Sequence, residues 1–141
     1  MTFLKNLFAS KNTKSGIVFI IEDNGVYAKT LAEYLKGCFS EIKEVKIFPV
    51  GETCLLELAK NPDLIIIDYF LDSKYPDAET GLEIVKKIRL EKPQTPIILL
   101  SSQQEIAVAK ESIRKYNCTY IKKDQDAYTK VEAVIKEQVV F

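Results

Sequence analysis

Apolar and polar positions alternate along the chain in two distinct periods. Ile17-Val18-Phe19-Ile20-Ile21 is a short, wholly apolar run rich in branched residues, which predicts a buried strand. Asn24 to Lys36 follows with Val26, Leu31, Tyr34 and Leu35 at helical spacing. Glu44 to Val50 predicts a second strand, with Val45, Ile47 and Phe48 inward. Glu52 to Lys60 predicts a second helix, stopped by Asn61-Pro62, because proline cannot continue a helix and restricts the residue before it. Leu64-Ile65-Ile66-Ile67 is a third buried strand, ending at Asp68. Leu82, Ile84, Val85 and Ile88 mark a third helix, closed by Lys92-Pro93. Ile97 to Leu100, Glu105 to Tyr116, Thr119 to Lys122 and Asp126 to Val139 continue the alternation as strand, helix, strand and helix.

Short apolar strands separated by amphipathic helices predict an α/β fold, a parallel five-stranded sheet covered on both faces. Ligands in such sheets bind at the carboxyl ends of the strands, near a switch in strand order. The residues just after each apolar run therefore carry the interest.

The first fourteen residues stand outside the alternation. Phe3, Leu4, Leu7 and Phe8 share one face of a short helix. That face would pack on its own domain or offer a docking or homodimer contact, and both readings stay open.

Glu22-Asp23 follow strand one, and Asp68 ends strand three. With those strands adjacent, three carboxylates meet at one edge, where like charges repel and raise each other's pKa. A hard cation relieves this, and oxygen ligands with retained waters suit Mg2+. A purely structural alternative has Glu22 and Asp23 capping the helix that begins near Asn24, but it leaves Asp68 unexplained. Strand four runs into Ser101-Ser102 and strand five into Lys122-Lys123. Carboxylate, magnesium, hydroxyl and ammonium together make an oxyanion clamp for a transferring phosphoryl group.

Composition removes competing chemistries. The 141-residue chain has no histidine, which excludes Ser-His-Asp and Cys-His catalysis and His-based metal sites. Lys+Arg and Asp+Glu are both 20, so no basic excess points to nucleic acid. Cys38, Cys54 and Cys118 are dispersed, which suits a reducing compartment. No apolar run approaches a membrane span and no secretory signal is visible, so a cytoplasmic protein is expected.

The order IVFIIEDN, LIIIDYFL, PIILLSS, YIKKD resembles the response-regulator receiver family of bacterial two-component signalling, over about Gly16 to Val139. The resemblance implies a flavodoxin-like doubly wound fold, with residues 1–14 an N-terminal extension and 15–141 the receiver domain. It implies that Asp68 is the phosphoacceptor. Glu22 and Asp23 are the acidic pair holding magnesium, with Asp23 the direct ligand and the backbone carbonyl of Phe70 completing the site. Ser101 stands at the family's switch hydroxyl, Tyr120 at its switch aromatic, and Lys123 rather than Lys122 at its phosphate-contacting lysine. Implied partners are a sensor histidine kinase or phosphotransfer protein and an unidentified downstream protein. No output domain is expected to follow the last helix.

The sequence also departs from the family pattern. The proline expected shortly after the acceptor is missing. The loop from Asp72 to Thr80 is several residues longer than usual before Gly81. It is either a tolerated insertion or a partner-specific lip beside the site. Phe70 and Gln103 occupy positions whose side chains influence water access to the acyl phosphate, and the bulk of Phe70 predicts a long-lived phosphoryl state. Asn117-Cys118 replaces the common Gly-Ala; Asn tolerates the left-handed conformation, and Cys118 reads as a buried filler.

An alternative is a pseudo-receiver, an interaction module that does not use phosphate. A phosphatase with an aspartyl nucleophile is disfavoured because Phe70, not an acid, stands two residues after Asp68. Nucleotide hydrolysis lacks its Gly-rich loop, and Glu22-Asp23 is wrong for an anionic flavin-type cofactor. The chain is expected to catalyse only its own phosphoryl transfer and loss, and is not otherwise an enzyme.

Overall fold

A computed structural model describes residues 14–69, 80–102 and 106–141. The elements are β1 (Ile17–Ile21), α1 (Gly25–Cys38), β2 (Glu44–Phe48), α2 (Gly51–Leu55), β3 (Leu64–Asp68), α3 (Gly81–Glu91), β4 (Ile97–Ser101), α4 (Ile106–Tyr116), β5 (Thr119–Lys122) and α5 (Ala127–Gln138). The five strands form one parallel sheet in the order β2-β1-β3-β4-β5. This is the doubly wound flavodoxin-like arrangement, with the switch in strand order between β1 and β3. Among the described residues no helix is long and apolar enough to cross a membrane.

Because side chains alternate along a strand, each all-apolar strand feeds two cores. Val18, Ile20, Leu64, Ile66, Ile98 and Leu100 face α1 and α5, where Leu31, Leu35, Val131 and Ile135 cover them. Phe19, Ile21, Ile65, Ile67, Ile97 and Leu99 face the other way, under Cys54, Ile84, Val85 and Ile88. Burying each such side chain contributes about 1.5–3 kcal/mol. The two layers account for runs in which every residue is apolar.

Local chemistry sets the helix ends. The Asn24 side chain accepts from the Tyr27 N–H at 3.1 Å and starts α1. Thr80 does the same for Glu83 at 3.3 Å and starts α3. The chain begins β1 from a buried clasp: Asp63 accepts from the N–H of Gly16 at 2.7 Å and of Ser15 at 3.3 Å. At the same end of the sheet, Arg89 donates Nε to the Tyr116 carbonyl at 2.6 Å. Its terminal nitrogens reach the carbonyls of Lys92 at 2.9 Å, Thr95 at 2.6 Å and Asn117 at 3.4 Å. The orphan carbonyls at the ends of α3 and α4 are thereby bonded.

Three expectations from the sequence are corrected. Val26 is 77% exposed, so the inner face of α1 runs through Ala28, Leu31, Ala32 and Leu35 instead. At about 100° per residue, Val26 lies on the side of the helix opposite Ala28 and Leu35. Ile47 is also exposed, while Phe48 is buried. β2 is an edge strand, and Ile47 lies on the margin of the core it faces. Glu52 to Lys60 is not one helix: Gly51–Leu55 gives way to a single tight turn at Leu58–Lys60. Glu57, Lys60 and Asn61 donate to carbonyls three residues back, and Asn61 turns left-handed at φ 56° before Pro62.

Candidate functional site

The parallel register brings the strand ends level. Ile21 pairs with Ile67, Asp68 with Leu100, and Ser101 with Lys122. Glu22 therefore emerges beside Asp68, with Ser101 and Lys123 on the far side. Main-chain bonds fix each of these points. Tyr69 N–H donates to the Leu100 carbonyl at 2.7 Å, Lys123 N–H to the Ser101 carbonyl at 2.7 Å, and Glu22 N–H to the Phe48 carbonyl at 3.0 Å. Gly81 is required here: a Cβ at that position would lie 2.4 Å from the Asp68 carbonyl oxygen and 2.8 Å from the Tyr69 Cα. Its N–H donates to the Tyr69 carbonyl at 2.8 Å, seating the start of α3 against the backbone of Asp68.

The structure brings Glu22, Asp23 and Asp68 together, one carboxylate oxygen of each lying within 4.8 Å of the others. Glu22 is 3% exposed and Asp68 6%. Lys123 points into this cluster; its ammonium donates to Glu22 Oε1 and lies 3.5 Å from Asp68 Oδ2. Lys122 is exposed, and it is Lys123 that reaches the acids. Ser101 is fully buried at the end of β4. Tyr120 is half-buried against the second core and lines an open groove of about 600 Å³ with Arg89, Ile113 and Gln138.

Helix capping does not account for the burial of Glu22. Asn24 is the cap, and Glu22 accepts only at 3.4 Å from the Asn24 N–H. Burial pushes the Glu22 carboxyl above its ordinary value, and the neighbouring Asp68 adds to this while Lys123 opposes it. Burial pulls the Lys123 ammonium down, but its bond to Glu22 and the charge of Asp68 outweigh that and leave it raised. Among the described residues, three acids against one ammonium leave an excess of negative charge among hard oxygen donors. That donor set fits a magnesium-like cation.

Phe70, whose carbonyl the resemblance gives to the metal, lies outside the described residues. So do Gln103, residues 72–79 of the long loop and residues 1–13. Asn117 adopts φ 53°, as expected for a left-handed helix end, and Cys118 is buried with its thiol pushed up by that burial to about 11.

Sequence reasoning missed Tyr27. Its ring faces the Lys123 ammonium, with the nitrogen 4.3 Å from the ring centroid. Its hydroxyl is buried and has no hydrogen-bond partner among the described residues. The only signal was its place in the first turn after Glu22-Asp23, where an aromatic residue reads equally well as core.

Comparison with known proteins agrees with this fold. The family profile described as the response regulator receiver domain matches residues 18–135. The nitrogen assimilation regulatory protein NtrX of Azorhizobium caulinodans is 30% identical over 114 residues, covering 80% of this chain and 21% of that protein. The chain spans about a quarter or less of the length of the curated relatives it matches. Among solved structures, the phosphorylated cyanobacterial phytochrome response regulator RcpA superposes with a TM-score of 0.71. It is 22% identical, over 86% of this chain and 92% of that one. A CheY-like receiver domain protein from Methanospirillum hungatei gives 0.67 at 20% identity, over 90% and 97%. The profile match, spanning most of a chain folded as five parallel strands with its acids at their carboxyl edge, shows that this protein belongs to the response regulator receiver domain family of two-component systems.

Proposed function

We propose that the chain is a phosphorylation-driven switch in which Asp68 accepts a phosphoryl group from a histidine kinase or phosphotransfer protein. The observation that carries this reading is Asp68 itself. It is a buried carboxylate at a strand end, 3.5 Å from the Lys123 ammonium and clustered with two further acids. An Asp68 oxygen attacks phosphorus in line, and a new P–O bond forms as the bond to the donor's leaving group breaks. The leaving group departs with the electron pair. Lys123 neutralises charge on the phosphoryl oxygens, and the Ser101 hydroxyl hydrogen-bonds the group once it is attached. Tyr120 moves with Ser101 and reports occupancy at the outer surface. Glu22, Asp23, Asp68 and the Phe70 carbonyl would hold Mg2+, which supplies further charge neutralisation when bound. The phosphoryl charge selects an active conformation that a downstream protein reads, without direct contact to nucleic acid, in the cytoplasm. The chain has no other substrate.

Mass spectrometry after incubation with Mg2+ and acetyl phosphate tests this, comparing wild type with Asp68→Asn. A single phosphoryl adduct, dependent on Mg2+ and absent from the variant, is expected. No adduct, together with no Mg2+ binding in a titration, would overturn the reading in favour of a pseudo-receiver.

A further inference from the structure

Lysine carries a compact charge on a flexible four-carbon stem, so its ammonium must be held if it is to meet a phosphoryl group. Here two carboxylates take hold of Lys123 on one side, Glu22 by a direct bond and Asp68 at 3.5 Å. The ring of Tyr27 contributes a further contact, its face 4.3 Å from the ammonium. An aromatic face attracts a cation at this range, most strongly where water is scarce. Lys123 is only 15% exposed.

The ring is itself fixed. The Tyr27 N–H is the donor captured by the Asn24 cap at 3.1 Å. The Tyr128 hydroxyl donates to the Tyr27 carbonyl at 3.2 Å, and the two rings meet edge to face with centroids 5.4 Å apart. Acid pair, cap and ring thus fall within the six residues Glu22 to Tyr27, and α5 buttresses the ring from behind.

We infer that Tyr27 is a positioning residue of the phosphorylation site, its ring confining the Lys123 ammonium to the space between Glu22 and Asp68. The kinetic part of this inference rests on the proposed role of Asp68; the structural part does not.

Two variants test it: Tyr27→Met, which fills similar volume without a ring, and Tyr27→Phe, which keeps the ring. In protein carrying ¹³C-labelled lysine ε-carbons, assigned with Lys123→Arg, the Lys123 ε-protons should be shifted upfield by the ring current in wild type and Tyr27→Phe. They should return to ordinary lysine values in Tyr27→Met. With Mg2+ and acetyl phosphate, Tyr27→Met should phosphorylate about tenfold more slowly, while Tyr27→Phe recovers most of the rate. Unchanged Lys123 shifts in a folded Tyr27→Met protein, or a wild-type phosphorylation rate there, would overturn the inference. If Tyr27→Met does not fold, a nuclear Overhauser contact between the Lys123 ε-protons and the Tyr27 ring in wild type decides the structural part, and its absence overturns it. A wild type that forms no adduct counts against the role of Asp68, while the chemical shifts still decide whether the ring holds Lys123.

Discussion

β3 is bracketed by two buried carboxylates, and the fold surrounds them in opposite ways. Asp63 stands one residue before the strand and Asp68 is its last residue; each is 6% exposed. Asp63 accepts from the main-chain N–H of Gly16 and Ser15 and, at 3.4 Å, from the Ser15 hydroxyl. These neutral donors compensate its burial and tie the start of β1 to the start of β3. Asp68 instead faces an ammonium shared with Glu22, in the company of two further acids. Burial alone therefore does not mark a functional carboxylate. What distinguishes the two is whether neighbouring donors complete the group or whether other acids crowd it.

The contrast can be broken most forcefully at Asp63. Replacing it by alanine leaves buried N–H groups unpaired, and Asp63→Ala should lose about 3 kcal/mol of stability in urea denaturation. Phosphorylation by acetyl phosphate should survive under conditions where the variant is folded. Asp68→Asn should move stability the other way, gaining about 1 kcal/mol, because it removes one of three clustered acids. A loss of stability in that variant comparable to that of Asp63→Ala would erase the distinction.

The smallest effect concerns pH. Glu22 is raised above its ordinary carboxyl value by burial, then by Asp68, so the folded state holds its proton more tightly than the unfolded chain. Its contribution favours folding below the ordinary glutamate pKa of 4.5 and is lost as pH rises through the raised value. Glu22→Gln should therefore gain stability relative to wild type as pH increases from about 4 to neutrality, without Mg2+. A difference that shrinks over this interval would show that the bond from Lys123 dominates Glu22 instead. Lys123, also raised, has the same dependence at higher pH. Its contribution is complete below 10.5 and is lost only as pH rises beyond that.

β1, β3 and β4 were legible because they are buried on both sides, which makes each an almost wholly apolar run that is easy to delimit. The acid, hydroxyl and lysine positions were legible for a related reason, since each sits one or two residues past the apolar part of a strand. Asp63 was not: nothing in the sequence around it sets it apart, and its partners lie 47 and 48 residues earlier in the chain. Val26 was misjudged because its spacing to Leu31 does not keep the two on one helix face, and Ile47 because periodicity gives a side chain's direction but not where the core ends. The break after α2 was hidden because a few residues of helical spacing cannot distinguish a continued helix from a tight turn. Tyr27 escaped because its partner, Lys123, lies in another element, and only the fold brings ring and ammonium together.

Arg89 has a consequence for how the protein opens. Its guanidinium joins carbonyls from the end of α3, the entry to β4 and the end of α4. Neither helix terminus can unwind without releasing bonds that also anchor the other. The last turns of α3 and α4 should therefore exchange their amide hydrogens as one cooperative unit instead of fraying independently, an opening at one being transmitted to the other.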